Sequence, residues 1–89
     1  MLVSKGVHYQ AVYSDEAISF LMALPKRRQQ YIANLGRQLA HNPFVESDYA
    51  DLDGNGREIH NLLIEDYVFA YWLDHPVAEM RIVDIKNAT

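Results

Sequence analysis

Three consecutive runs between Arg57 and Ile85 constrain this chain more than anything else in it. Arg57-Glu58-Ile59-His60-Asn61-Leu62-Leu63-Ile64 is broken by Glu65-Asp66. Tyr67-Val68-Phe69-Ala70-Tyr71-Trp72-Leu73 is broken by Asp74-His75-Pro76-Val77, and Ala78-Glu79-Met80-Arg81-Ile82-Val83-Asp84-Ile85 follows. β-Branched and aromatic residues dominate the second and third runs. Such residues suit a pleated, half-buried surface, and turn formers separate the runs, so the pattern predicts an antiparallel meander.

Turn length sets the expected register. A two-residue loop at Glu65-Asp66 places Ile64 opposite Tyr67, Leu62 opposite Phe69 and His60 opposite Tyr71. A four-residue second loop places Leu73 opposite Ala78, Tyr71 opposite Met80 and Phe69 opposite Ile82. Side chains alternate across a sheet. One face then carries Leu62, Ile64, Tyr67, Phe69, Tyr71, Leu73, Met80 and Ile82, and reads as the core face. The other carries Arg57, Ile59, Asn61, Leu63, Val68, Ala70, Trp72, Arg81, Val83 and Ile85.

Upstream, Val7 to Tyr13 alternates weakly and predicts a first strand, with Val7, Tyr9, Ala11 and Tyr13 on one face; Met1 to Gly6 reads as a frayed end. Ser14 is a good N-cap, and Asp15 and Glu16 favour the helix dipole in the first turn. Ala17, Ile18, Leu21 and Leu24 repeat at helical spacing. Pro25 ends that helix and suits the start of another, which carries Ile32, Leu35 and Leu39 on one stripe. Gly36 inside it costs up to ~1 kcal/mol relative to Ala, and close approach of the two helices is the expected reason. Asn42-Pro43 ends the second helix, and Phe44 to Gly56 reads as a loop. The helical hairpin is the only cover available for the sheet. The fold class expected is α+β, a two-layer sandwich in the order strand-helix-helix-strand-strand-strand, with one face of the antiparallel meander left open.

Composition narrows the function classes. At 89 residues with no linker or repeat, residues 1–89 read as one domain. The absence of cysteine excludes a disulfide framework and thiolate chemistry and fits the cytoplasm. Met1-Leu2-Val3 is too short for a signal-peptide apolar region, and Val68 to Leu73 is far below membrane-spanning length, so no membrane association is expected. A net charge of −4 disfavours non-specific binding to nucleic acid.

Several clusters invite chemical readings. Asp51-Leu52-Asp53-Gly54-Asn55-Gly56 matches the first half of a calcium-binding EF-hand loop, but Leu62 stands where the bidentate carboxylate belongs. A tight turn is the better reading. The spacings of His8, His41, His60 and His75 match no common zinc pattern. No metal and no cofactor are expected. Lys26, Arg27 and Arg28 open the second helix against its dipole, with Arg37 further along; they form a candidate basic patch for an acidic partner, or a solvated helix end. On the open face, Ile59, Leu63, Val68, Trp72, Val83 and Ile85 make a candidate partner-binding surface, with Trp72 as its anchor.

The order and spacing of these features resemble the RelE/ParE superfamily of bacterial type II toxin–antitoxin toxins. The resemblance rests on the Tyr9–Tyr13 strand, Ala17, Phe20-Leu21, Leu24-Pro25, Arg28, Ile32, Leu35, Leu39 and Asn42-Pro43. Leu52, Gly54, Arg57-Glu58-Ile59, Tyr67-Val68-Phe69-Ala70-Tyr71 and Arg81-Ile82-Val83-Asp84-Ile85 complete it. It spans nearly the whole chain and implies a neutralising antitoxin partner. RelE-like members cut messenger RNA in the ribosome, whereas ParE-like members inhibit DNA gyrase. Val68 occupies the position where the ribonucleases often carry a catalytic Arg, and the sequence pI of about 5.4 is acidic for a protein with a polyanionic substrate. The leading expectation is therefore a toxin that acts by protein binding, with self-association as a dimer when no partner is present. The alternative is a messenger-RNA interferase using Arg57, Glu58, Arg81 and Lys86, although the expected register puts Glu58 on the wrong face.

Overall fold

In the computed structural model, which describes residues 8–88, Ser14 starts the first helix as its side chain predicts. Its Oγ accepts the Ala17 N–H at 3.1 Å and donates to the Val83 carbonyl at 2.8 Å. One hydroxyl thus caps α1 (Asp15–Met22) and ties it to the last strand. Losing both bonds in Ser14→Ala is expected to cost about 1–2 kcal/mol. Urea unfolding measures it, and a loss below about 0.5 kcal/mol would show the hydroxyl to be dispensable.

Pro25 is the N-cap of α2 (Lys26–Ala40), and Ile32, Leu35 and Leu39 face inward as their spacing predicts. The strands are β1 (Gln10–Tyr13), β2 (Tyr49–Leu52), β3 (Glu58–Ile64), β4 (Tyr67–Asp74) and β5 (Glu79–Asn87). They form one five-stranded sheet in the order β1-β5-β4-β3-β2.

The predicted meander is present as β3, β4 and β5. Two features go beyond the expected order of four strands. First, β2 forms inside the stretch read as a loop and pairs antiparallel with β3. All four of its residues are exposed, so it lacks the buried alternation that marks a strand. Second, β1 pairs in parallel with β5, making the sheet mixed. Val7 and Met1–Gly6, the proposed strand start and frayed end, lie outside the described residues.

The first hairpin has the predicted register, with Ile64 opposite Tyr67, Leu62 opposite Phe69 and His60 opposite Tyr71. The second is shifted by two: Leu73 pairs with Met80 and Tyr71 with Ile82, across a 3-10 turn at His75–Val77. An even shift keeps every side chain on its face. The register then slips between Ala70 and Tyr71, so that Phe69 meets Ile85. This extra residue turns Ile85 from the open face to the helix side, where it is 1% exposed. Ile85 therefore belongs to the core, a correction to its placement among the partner-binding residues.

The core joins Tyr9, Ala17, Leu21, Ile32, Leu35 and Leu39 to Tyr67, Phe69, Tyr71, Met80, Ile82 and Ile85. Leu62, Ile64 and Leu73 pack at its margin. Gly36 is explained by the sheet and not by the other helix: a Cβ there would strike the hydroxyl of Tyr13 on β1.

Candidate functional site: the uncovered sheet face

Directly paired residues share a face, so the ladders assign the uncovered surface. Tyr49 and Asp51 lie beside Asn61 and Ile59, Leu63 beside Val68, and Val68 beside Lys86. Trp72 pairs with Arg81, which is also opposite Val12, and Asp74 pairs with Glu79.

At one end of this face the Trp72 indole lies between two guanidinium groups. Arg57 Cζ is 4.1 Å from the ring centroid and Arg81 Cζ 6.0 Å. Both arginines also hold carboxylates. Arg57 Nη1 is 3.5 Å from Asp53 Oδ2, Arg81 Nη2 donates to Glu79 Oε1 at 2.7 Å, and Arg81 Nε is 3.8 Å from Asp74 Oδ2. Asp53 is fixed locally: its Oδ1 accepts the N–H groups of Asn55 and Arg57. The bond from the Arg57 N–H is the main reason its carboxyl titrates below the ordinary range.

At the other end is a groove of ≈440 Å³ lined by Asp48, Tyr49, Asn61, Leu63, Val68, Lys86, Asn87 and Ala88. Tyr49 is 56% and Leu63 53% exposed, large apolar groups that water disfavours. The buried Asn61 amide donates to Asp51 Oδ2 at 3.4 Å and to the Ile59 carbonyl at 3.3 Å. Lys86 Nζ is 3.9 Å from Asp84 Oδ2.

The sequence matches no family model and no curated protein. Solved structures similar to this one include chains of three toxin–antitoxin complexes. A chain of the toxin–antitoxin complex RelBE2 from Mycobacterium tuberculosis superposes with a TM-score of 0.71 at 15% identity, covering 91% of this chain and 99% of that one. A chain of the archaeal RelE–RelB complex from Pyrococcus horikoshii gives 0.65 at 17% identity, covering 90% and 94%. A chain of the intact E. coli RelBE toxin–antitoxin complex gives 0.66 at 12% identity, covering 91% and 98%. The chain has the RelE fold. The resemblance read from the order of its motifs is borne out at that level.

On the RelE fold the predicted residues separate. Five of the six partner-binding candidates, Ile59, Leu63, Val68, Trp72 and Val83, line the open face or its grooves, and Ile85 does not. Arg57 and Arg81 flank one indole and Lys86 sits on the same face. Glu58 is opposite Leu52, one residue out of phase with the open face, and its Oε1 is 3.9 Å from His60 Nε2. It nonetheless lines a pocket of ≈190 Å³ together with Arg57, Trp72, His60 and His75.

The basic patch also divides. Lys26, Arg27 and Arg28 stand at the start of α2 and Arg37 near its end, ~15 Å along the axis at 1.5 Å per residue. Arg28 stacks over Tyr31 at 5.6 Å and Arg37 donates to Asn34 at 2.9 Å. Asp51 and Leu52 of the calcium-like hexapeptide are in β2, and Asp53 is committed to its turn. The histidines fall in two pairs: His8 stacks on His41, while His60 and His75 line one pocket with Arg57 and Glu58, His60 Nδ1 3.2 Å from Ser47 Oγ and His75 Nδ1 2.7 Å from the Tyr9 hydroxyl.

Sequence reasoning missed Asp48 and Tyr49, which form one wall of the groove. A signal was present. Asp53-Gly54-Asn55-Gly56 is turn chemistry leading into a strand, and such a turn implies a partner strand before it.

Proposed function

We propose that this chain is the toxin component of a type II toxin–antitoxin module, that it acts in the cytoplasm by protein binding, and that an antitoxin neutralises it by covering the open sheet face. The RelE fold, seen in chains of three toxin–antitoxin complexes, supports the module. One observation carries the mode of action: Arg57, Arg81 and Lys86 each lie within 4 Å of a carboxylate of this chain. RNA cleavage draws on cations for the developing phosphate charge, and these three already face carboxylates of their own chain. The stacked Arg57–Trp72–Arg81 arrangement favours the interferase as a second reading, since an indole also serves as a platform for a base.

Expression in a bacterium tests both. The expected result is growth arrest relieved by co-expression of the antitoxin, with transcripts intact by primer extension. Cleaved transcripts that disappear in Arg81→Ala would establish the interferase instead. Gyrase supercoiling and ribosomal translation assays then separate the two protein targets.

Without a partner, a second copy covers the same apolar residues as a dimer. Burying a few hundred Å² contributes several kcal/mol at ~25 cal/mol per Å², before association costs. Trp72→Glu places a carboxylate in that surface without touching the helix-side core. It is expected to fold, to remain monomeric in sedimentation and to escape the antitoxin. Unfolding of this variant would place Trp72 in the structural core and remove it as an anchor.

A further inference from the structure

The open face combines an apolar groove with unequal charge. Arg57 is paired with Asp53 and Arg81 with Asp74 and Glu79, whereas Lys86, largely exposed at the groove, lies 3.9 Å from Asp84. Two further carboxylates, Asp48 and Asp51, are exposed beside the groove and have no cation within ion-pair distance among the described residues. Asp48 accepts the Leu63 N–H at 2.7 Å through Oδ2, and Asp51 accepts only the long bond from Asn61. Both point to a complement of positive charge.

We propose that this face binds a cationic amphipathic protein segment, whose apolar side chains enter the groove at Tyr49, Leu63 and Val68 and whose lysines or arginines meet Asp48 and Asp51. The inference rests on the protein-binding reading above and adds the chemistry of the partner. An acidic segment would have to displace Asp53 or Glu79 from the arginines they pair with, would find only Lys86 open to it, and would meet the two free carboxylates at like charge. A nucleic acid meets the same obstacle, in a chain of net charge −4. A second copy brings its own Asp48 and Asp51, so self-association is the weaker use of the surface and strengthens as salt screens that repulsion.

The test uses the full chain and three probes. Two are synthetic amphipathic peptides with one shared apolar stripe, carrying either lysine or glutamate at every polar position. The third is a single-stranded RNA oligonucleotide. Calorimetry gives affinity, and the amide shifts of Leu63 and Val68 report the place. The lysine peptide is expected to bind at the groove about tenfold or more tighter than the glutamate peptide, with the ratio collapsing at ~0.5 M salt. Asp48→Asn with Asp51→Asn keeps side-chain shape and the Leu63 bond, and is expected to weaken the lysine peptide about fivefold while leaving the glutamate peptide no weaker. Equal binding of the two peptides, or tighter binding of the glutamate one, overturns the charge inference and leaves the protein-binding reading standing. Binding of neither peptide, or tighter binding of the oligonucleotide, overturns both.

Discussion

Ile85→Ala is expected to destabilise the protein by about 2–5 kcal/mol, whereas Val83→Ala, two residues away, is expected to cost about 1 kcal/mol or less. Ile85 is 1% exposed and lies opposite Phe69, itself fully buried, so truncation removes apolar burial and leaves a cavity that neighbours cannot fill. Val83 borders the half-open groove with Val12, Trp72 and Arg81, where water replaces the lost methyl groups. Without the slip in register the two residues would share a face, and both would be cheap to truncate. Denaturant unfolding of both variants decides it. Equal, small losses would mean that β5 runs in regular register and that Ile85 belongs to the open face.

Gly36 and Tyr13 are expected to behave as one unit. A Cβ at position 36 meets the Tyr13 hydroxyl, which is buried without a hydrogen-bond partner among the described residues. That burial is also the main reason the Tyr13 phenol titrates above its ordinary value, with the nearby Arg37 opposing it. Helix propensity favours Gly36→Ala by up to ~1 kcal/mol. The overlap outweighs this, because displacing a packed ring costs about 1–3 kcal/mol, and the single variant is expected to be less stable than the parent. Tyr13→Phe removes an orphaned polar atom and is expected to be neutral or stabilising by about 1 kcal/mol. In that background the added methyl meets only the ring Cζ at 3.4 Å and the Ile82 Cδ1 at 3.5 Å, both ordinary contacts. Gly36→Ala should then change sign and become stabilising. A double-mutant cycle by urea unfolding measures the coupling, expected near 2 kcal/mol. Additivity within about 0.5 kcal/mol would show that Tyr13 moves aside freely and that Gly36 has another cause.

The same two positions show where local pattern stops being informative. Gly36 stands out in a helical stripe, and the need for space is legible from its residue type alone. The neighbour needing the space is not, because the contact of Tyr13 with α2 depends on the long-range seating of β1 beside β5. The candidate site divides likewise. Leu63, Val68 and Trp72 reach the uncovered face by simple alternation from a two-residue turn, which a sequence expresses directly. Tyr49 and Asp48 reach it through an edge strand with no buried face, which leaves no apolar period to read. The charge pairing was hidden as well: Arg81 meets Asp74 across a hairpin whose register a turn-length argument set two residues off.

By itself the sequence determined the helix starts at Ser14 and Pro25, the inward stripe of α2, the three meander strands and the first hairpin's register. Each depends on contacts within a turn or between adjacent strands, and residue type states those directly. The tertiary structure alone decided the parallel seat of β1 beside β5, the pairing of β2 and the slip that buries Ile85. Those outcomes compare the energies of whole arrangements of the sheet beneath its helices. A single inserted residue exchanges faces there, and no local pattern carries that information.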